Sequence, residues 1–293
     1  MHISEFFGLP KGHINFDFID ATISHDTELF IDPCLIEVTN NNFCQEAMKT
    51  MNDYFDAFYS LYRNSDTEQE KIKILSHATE INATKLGYGN GDNGHGNTYT
   101  GLIEIFKSLE KFDFMKIPFV KAIDLPIFIT DFAEDGLSDM LTNILFYHLS
   151  KFTIEQCEKY SFETKDIKTI HYYWNETLHK WDIYMDKALY LEGKLLLLVP
   201  KNIVRHNFYY DTEQYFRSMI LTKIQQEQTT YDNEGKSHSP TKKLLRNQLV
   251  DVNSDVKEIV VGKTKDNPDL LNDYHDKMKY SYKNKGMSDD ELD

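Results

Sequence analysis

Residues 125–143 constrain this chain's fold more than any other stretch. Leu125 to Thr130 is an apolar run that reads as a buried strand; Asp131, Glu134, Asp135 and Asp139 follow, and an amphipathic helix starts near Asp135 or Gly136. A helix beginning there sets Asp135, Asp139 and Asn143 at i, i+4 and i+8, on one face. Oxygen ligands gathered just past a strand end suit a hard cation such as Mg²⁺. Capping is the competing explanation: Asp135 or Ser138 could close the helix start, with the other acids favoured by its dipole.

Elsewhere the pattern alternates between periods. Asn15 to Asp20 and Glu28 to Pro33 read as two strands in a hairpin, stopped by Pro33. From Asn42 to Arg63, Phe43, Met48, Met51, Tyr54, Phe55, Phe58, Leu61 and Tyr62 recur at helical spacing. A helix over 67–77, capped by Ser65 or Asp66, follows, then a glycine-rich loop, 86–101, ahead of a helix over 102–112. That loop has neither Walker nor dinucleotide-fold spacing, although glycines before a helix can approach a phosphate. The helix opened by Asp135 runs to Leu149 and is interrupted at 151–153. Four β-rich runs cover 167–174, 178–185, 188–191 and 195–199. A helix over 211–228, a polar linker over 229–240 and two or three short helices complete the chain. The domain reading is a core over 1–228, a helical extension over 229–287 and a disordered acidic tail over 288–293.

A hydrophobic content of 41% supports a real core, and no apolar run is long enough to span a bilayer. The N-terminus carries no cationic, apolar leader, and the three cysteines lack CxxC spacing, so reduced thiols and a cytoplasmic protein are expected. The net charge of −15 argues against a broadly basic nucleic-acid surface. Residues 194–288 are nevertheless net basic, and Arg205, Lys242, Lys243 and Arg246 are the candidate phosphate contacts; a mixed-charge solvated helix explains the last three equally well.

Asp17, Asp20, Asp26 and Asp32 form a second acidic group. Asp32, at the end of an apolar run, could join Asp131, Asp135 and Asp139 as a metal ligand, or simply cap the turn before Pro33. Glu192-Gly193-Lys194, with Asp182 and Asp186 upstream, echoes a nuclease metal-site pattern, but its glycine favours a tight turn. Lys201, just past a strand, is the alternative cation. His95, in the glycine loop, is the one histidine placed to meet a ligand.

Three segments, 134–143, Leu195-Leu-Leu-Leu-Val-Pro-Lys201-Asn-Ile-Val-Arg205 and Ser239-Pro-Thr-Lys-Lys-Leu-Leu-Arg246, together with Phe16 to Asp20 and Leu29 to Pro33, resemble an uncharacterised family of bacterial cytosolic proteins associated with anti-phage defence loci. The resemblance implies a cellular setting and no reaction. The fold expected is α+β, a mixed sheet flanked by helices with a helical C-terminal portion. Two functions are expected to compete. One is a Mg²⁺-dependent nuclease or phosphoesterase, with Asp135 and Asp139 on the metal, Asp32 or Asp131 completing its shell, and Lys201 stabilising phosphate charge. The other is a non-catalytic subunit that docks on an ATPase or nuclease through an acidic surface. A protein of a defence complex, a nucleic acid or a second copy of the chain are the partners either reading allows, and no membrane.

Overall fold

Asn42–Arg63 is a single helix over the whole predicted period, opened by Asn41, whose Oδ1 accepts the Cys44 N–H at 2.7 Å. Its buried stripe, Cys44, Met51, Tyr54, Phe55, Phe58 and Tyr62, forms the spine of the core. Phe58 meets Phe106 edge-on at 5.2 Å, and Tyr54 meets Trp174 at 5.1 Å, so helical and β-rich regions share one interior. Aromatic pairs of this kind add about 1 kcal/mol each beyond the area they bury. The computed structural model describes residues 1–64, 68–88, 98–111, 116–250, 255–282 and 286–293. The Ser65 and Asp66 cap, His95 and most of the glycine loop, and the predicted helix end at 112 lie outside those residues.

The fold is α+β. Its strands are β1 (Phe30–Ile31), β2 (Thr164–Asp166), β3 (His171–Asn175), β4 (Lys180–Tyr184), β5 (Lys187–Leu191), β6 (Lys194–Leu196) and β7 (Val204–Arg205). They pair in small antiparallel ladders: β1 with β7, β2 with β5 and β5 with β6, and β3 with β4. A bridge between Thr27 and Leu86 runs parallel. The turn between β5 and β6 falls at Glu192 and Gly193, with φ of 50° and 84°, the left-handed pair a tight hairpin needs. Glu192-Gly193-Lys194 is therefore turn chemistry, as its glycine suggested. Among the described residues, no helix is long and apolar enough to cross a membrane.

Several local expectations are corrected. Leu125 to Thr130 is not a strand: Asp124–Phe128 is a helix, buried at every position. A short run with no exposed face gives no period to read. Pro126 sits in the first turn, where a missing N–H costs nothing, and the Asp124 carboxylate accepts the Val120 and Lys121 N–H groups at 3.0 and 2.9 Å. The N-terminal runs do not pair with each other. Ile19 donates to Val199 and β1 pairs with β7, so both runs lie against residues 199–205. The interruption near 151–153 is absent; helix Glu134–Ile144 instead breaks at Leu145, and Phe146–Tyr160 continues without it. The polar linker holds a small hairpin, β8 (Thr230–Tyr231) with β9 (Ser237–His238).

The C-terminal helices Val256–Asp266 and Asp269–Ser281 bury Val260, Leu271 and Tyr274 in the same core as residues 1–228. The tail is likewise ordered, against expectation. Asp289–Leu292 forms a helical turn, Asp289 pairs with Lys201 at 2.5 Å, and the Asp293 carboxylate accepts from the His13 backbone N–H at 2.8 Å. Charge alone suggested solvation, but these partners come from remote parts of the sequence.

Candidate functional site

Three segments build an acidic centre. The first carries Asp26 and is stitched to the second by Thr27, whose N–H donates to Lys85 O at 2.9 Å and whose carbonyl accepts from Gly87 at 3.0 Å. The second, residues 79–88, carries Glu80. The third is helix Glu134–Ile144, which carries Asp135 and Asp139. Asn143, one turn beyond Asp139, donates through Nδ2 to Thr79 O and so anchors the segment bearing Glu80 to that helix. The shared face of Asp135, Asp139 and Asn143 is thus used as a unit, all three side chains facing residues 79–88.

The local backbone is shaped around Asp135. A Cβ at Gly87 would lie 2.9 Å from Asp135 Oδ1, and Gly87 has a φ of 127°, so both space and conformation require glycine there. Tyr88 supplies a backbone N–H to the Asp135 carboxylate, and its hydroxyl donates to Glu134 at 3.3 Å. A Gly87→Ala substitution should cost about 1–3 kcal/mol in a denaturant titration, since strain and overpacking act together.

Capping does not explain these acids. Ala133 is the N-cap residue of the helix, with no side-chain cap bond, and Ser138 Oγ instead accepts the Ile31 N–H at 3.0 Å. The electrostatics are those of half-buried carboxylates held near one another. Burial, then Asp135, Glu80 and Asp26, push the Asp139 carboxyl up to about 8. Glu80 is raised by burial and by Asp135 and Asp26; Asp135 is raised by burial and by Glu134, against the opposing Tyr88 N–H. Among the described residues, no lysine, arginine or histidine forms an ion pair with Glu80, Asp135 or Asp139. At neutral pH Asp139 therefore holds a proton. Among the same residues, no group of three or more His, Cys, Asp or Glu side chains stands ready to hold a metal ion, so seating one would require carboxylate rotation.

The other candidates fall elsewhere. Asp32 is fully buried and caps helix Pro33–Val38, its Oδ1 accepting the Cys34 N–H at 2.8 Å and its Oδ2 the Tyr282 hydroxyl at 2.7 Å. Burial pushes its carboxyl up to about 6. The capping account holds for it, and it is not part of the cluster. Asp131 is exposed, with a φ of 61°, on the side of Lys257. Lys201 is held by Asp289 and the His13 carbonyl. Asp17 pairs with Lys159, and Asp20 accepts from the Ser4 N–H and hydroxyl, which leaves Asp26 as the N-terminal acid that joins the centre. Of the phosphate-contact candidates, Arg205 lies in β7, Lys242 donates to Arg217 O and Thr222 Oγ1, and Arg246 grips Glu213 through both terminal nitrogens. Lys243 is exposed. Sequence reasoning missed Glu80, because His77-Ala-Thr-Glu-Ile-Asn carries no period and no motif.

Fold and site together define an α+β protein with a half-buried carboxylate cluster. The chain belongs to the family described as a domain of unknown function (DUF8370), which matches residues 8–211 and so contains every member of that cluster. No curated protein and no solved structure matches it.

Proposed function

We propose that Asp26, Glu80, Asp135 and Asp139 take up a divalent hard cation, and that the protein is a metal-dependent phosphoesterase, with nucleic acid as the substrate class. One observation carries this reading: four acids from three remote segments lie near enough to raise one another's pKa, and among the described residues no cation pairs with Glu80, Asp135 or Asp139. Stability selects against such crowding, so its retention points to use. A cation there would supply Lewis-acid polarisation of a phosphate oxygen. Asp139 would surrender its proton on binding, and Tyr88 N–H would keep Asp135 oriented. Such a cation, rather than Lys201, would supply the positive charge at the phosphate.

Incubation with a generic phosphodiester and with single- and double-stranded DNA and RNA, in Mn²⁺ or Mg²⁺, tests it. Metal-dependent cleavage should fall on the order of 100-fold in Asp135→Asn. No cleavage by wild type on any of these substrates would remove the enzymatic half of the proposal. The defence setting implied by the sequence resemblance belongs to the same proposal, with a direct readout: expression should lower phage plaquing, and Asp139→Asn should restore it.

A second reading is a non-catalytic subunit that docks on an ATPase or nuclease. The net charge of −15 and the absence, among the described residues, of a ready metal group favour it. It predicts that cleavage appears only with the partner present and survives Asp135→Asn.

A further inference from the structure

The two tryptophans of the chain, Trp174 on β3 and Trp181 on β4, line one open cavity of about 560 Å³ between the β3–β4 hairpin and the helices Asn42–Arg63 and Glu68–Leu75. Their rings stand at 87° with centroids 5.6 Å apart and so form a corner. Both indole N–H groups are spent within the protein: Trp174 donates to Asp53 Oδ2 at 2.7 Å, and Trp181 to Ile74 O at 2.8 Å. Trp174 is 3% exposed and backs the corner, so what remains for a ligand is the partly exposed ring of Trp181, together with the aliphatic surface of Ala57, Leu61 and Ile74. Such a wall accepts a planar ring and rejects a chain of polar groups.

The rim has a different chemistry. Lys73, from the helix, and Lys180, from the hairpin, both line the cavity and are exposed. Among the described residues, neither forms an ion pair with a carboxylate. His179 is held at the same rim in a left-handed conformation, with a φ of 50°, by a 2.7 Å bond from Nδ1 to Asp53 Oδ1. A non-glycine residue held there costs about 1–3 kcal/mol, and such strain clusters where ligands bind. Asp53 therefore fixes a ring of the floor and an imidazole of the rim at once, which makes the cavity preformed. His77, whose ring stacks on Tyr172 at 3.6 Å, closes one wall; burial lowers its pKa, so it lines the cavity as a neutral ring.

We propose that this cavity binds a nucleoside phosphate, with the base against Trp181 and the phosphate between Lys73 and Lys180. The cavity has the volume of small-ligand sites. Glu70 lines the same cavity and Asp182 feels the charge of Lys180, yet both ammonium groups stay exposed, and an aromatic side chain of a peptide would bring them no anion. The site is separate from the carboxylate cluster and does not rest on its chemistry. His77 and Glu80 are nonetheless three residues apart, so at most about 11 Å of chain joins the two.

Because both tryptophans line the cavity, intrinsic fluorescence of the whole chain reads occupancy directly. Adenosine and guanosine monophosphates should quench it saturably, with the free nucleoside about tenfold weaker. Inorganic phosphate should leave emission unchanged and should compete only weakly. The surface variant Lys73→Glu/Lys180→Glu, which cannot disturb the core, should weaken nucleotide about 100-fold and leave nucleoside binding intact. A single-stranded oligonucleotide run in parallel distinguishes a base within a strand from a free nucleotide: tighter binding by the oligonucleotide assigns the site to strand capture. Absence of quenching at millimolar nucleotide overturns the proposal. So does quenching that is equal for nucleoside and nucleotide and indifferent to the lysine variant.

Discussion

Asp139→Asn should melt roughly 5 °C above wild type once the pH exceeds about 8, and with it near pH 4. The sign follows from proton linkage. Asp139 titrates near 4 in the unfolded chain and at about 8 in the fold. Between those values the folded state binds the extra proton, so the fold loses stability as pH rises through that window. Four pK units would correspond to about 5 kcal/mol; the carboxyl keeps some solvent access, and about 2–3 kcal/mol is the realistic size. Asparagine keeps the shape and has no charge to bury. The gap between the two proteins should therefore open across the window and flatten above it. Thermal melts from acid to mildly alkaline pH check this. A pH-independent gap, or a variant less stable throughout, would mean that Asp139 is not crowded by Asp135, Glu80 and Asp26.

The opposite outcome is expected at Asp32, which the sequence offered either as a metal ligand or as a turn cap before Pro33. Asp32→Ala removes the cap on Cys34 N–H, worth about 1 kcal/mol, and strands a buried Tyr282 hydroxyl, worth about 1–3 kcal/mol more. Urea unfolding should show a loss of about 2–4 kcal/mol. Because burial pushes this carboxyl up to about 6, wild type itself loses stability as pH rises from about 4 to that value. The penalty of the substitution should be greatest on the acid side and shrink as pH passes through about 6. Asp32→Ala should leave any Mn²⁺ response intact where the protein remains folded; a lost response with the fold preserved would return Asp32 to the site.

How much was legible follows from where each signal lives. The helix Asn42–Arg63 could be read along its whole length, because eight large apolar side chains at one period leave few alternatives. The Glu192-Gly193 turn could be read because glycine in that position has a single economical use. Asp135, Asp139 and Asn143 could be placed on one face because helical spacing is local. Asp26 and Glu80 could not be added, since they arrive through the Thr27–Leu86 pairing and the Asn143 anchor on Thr79, and neither contact has a sequence period. Buried helix Asp124–Phe128 was misread for a related reason: with every side chain inside, the polar face that separates helix from strand is missing. The pairing of the tail with Lys201 could not be read because that ion pair spans 88 residues.

Calorimetric titration of Mn²⁺ into wild type and Asp139→Asn, at neutral pH in buffers of different ionisation enthalpy, bears most directly on the carboxylate centre. Saturable uptake by wild type, with about one proton released per ion and a loss of uptake in the variant, is the predicted result. Heat that never saturates, or uptake that proceeds in Asp139→Asn with the same affinity and proton release, would contradict it.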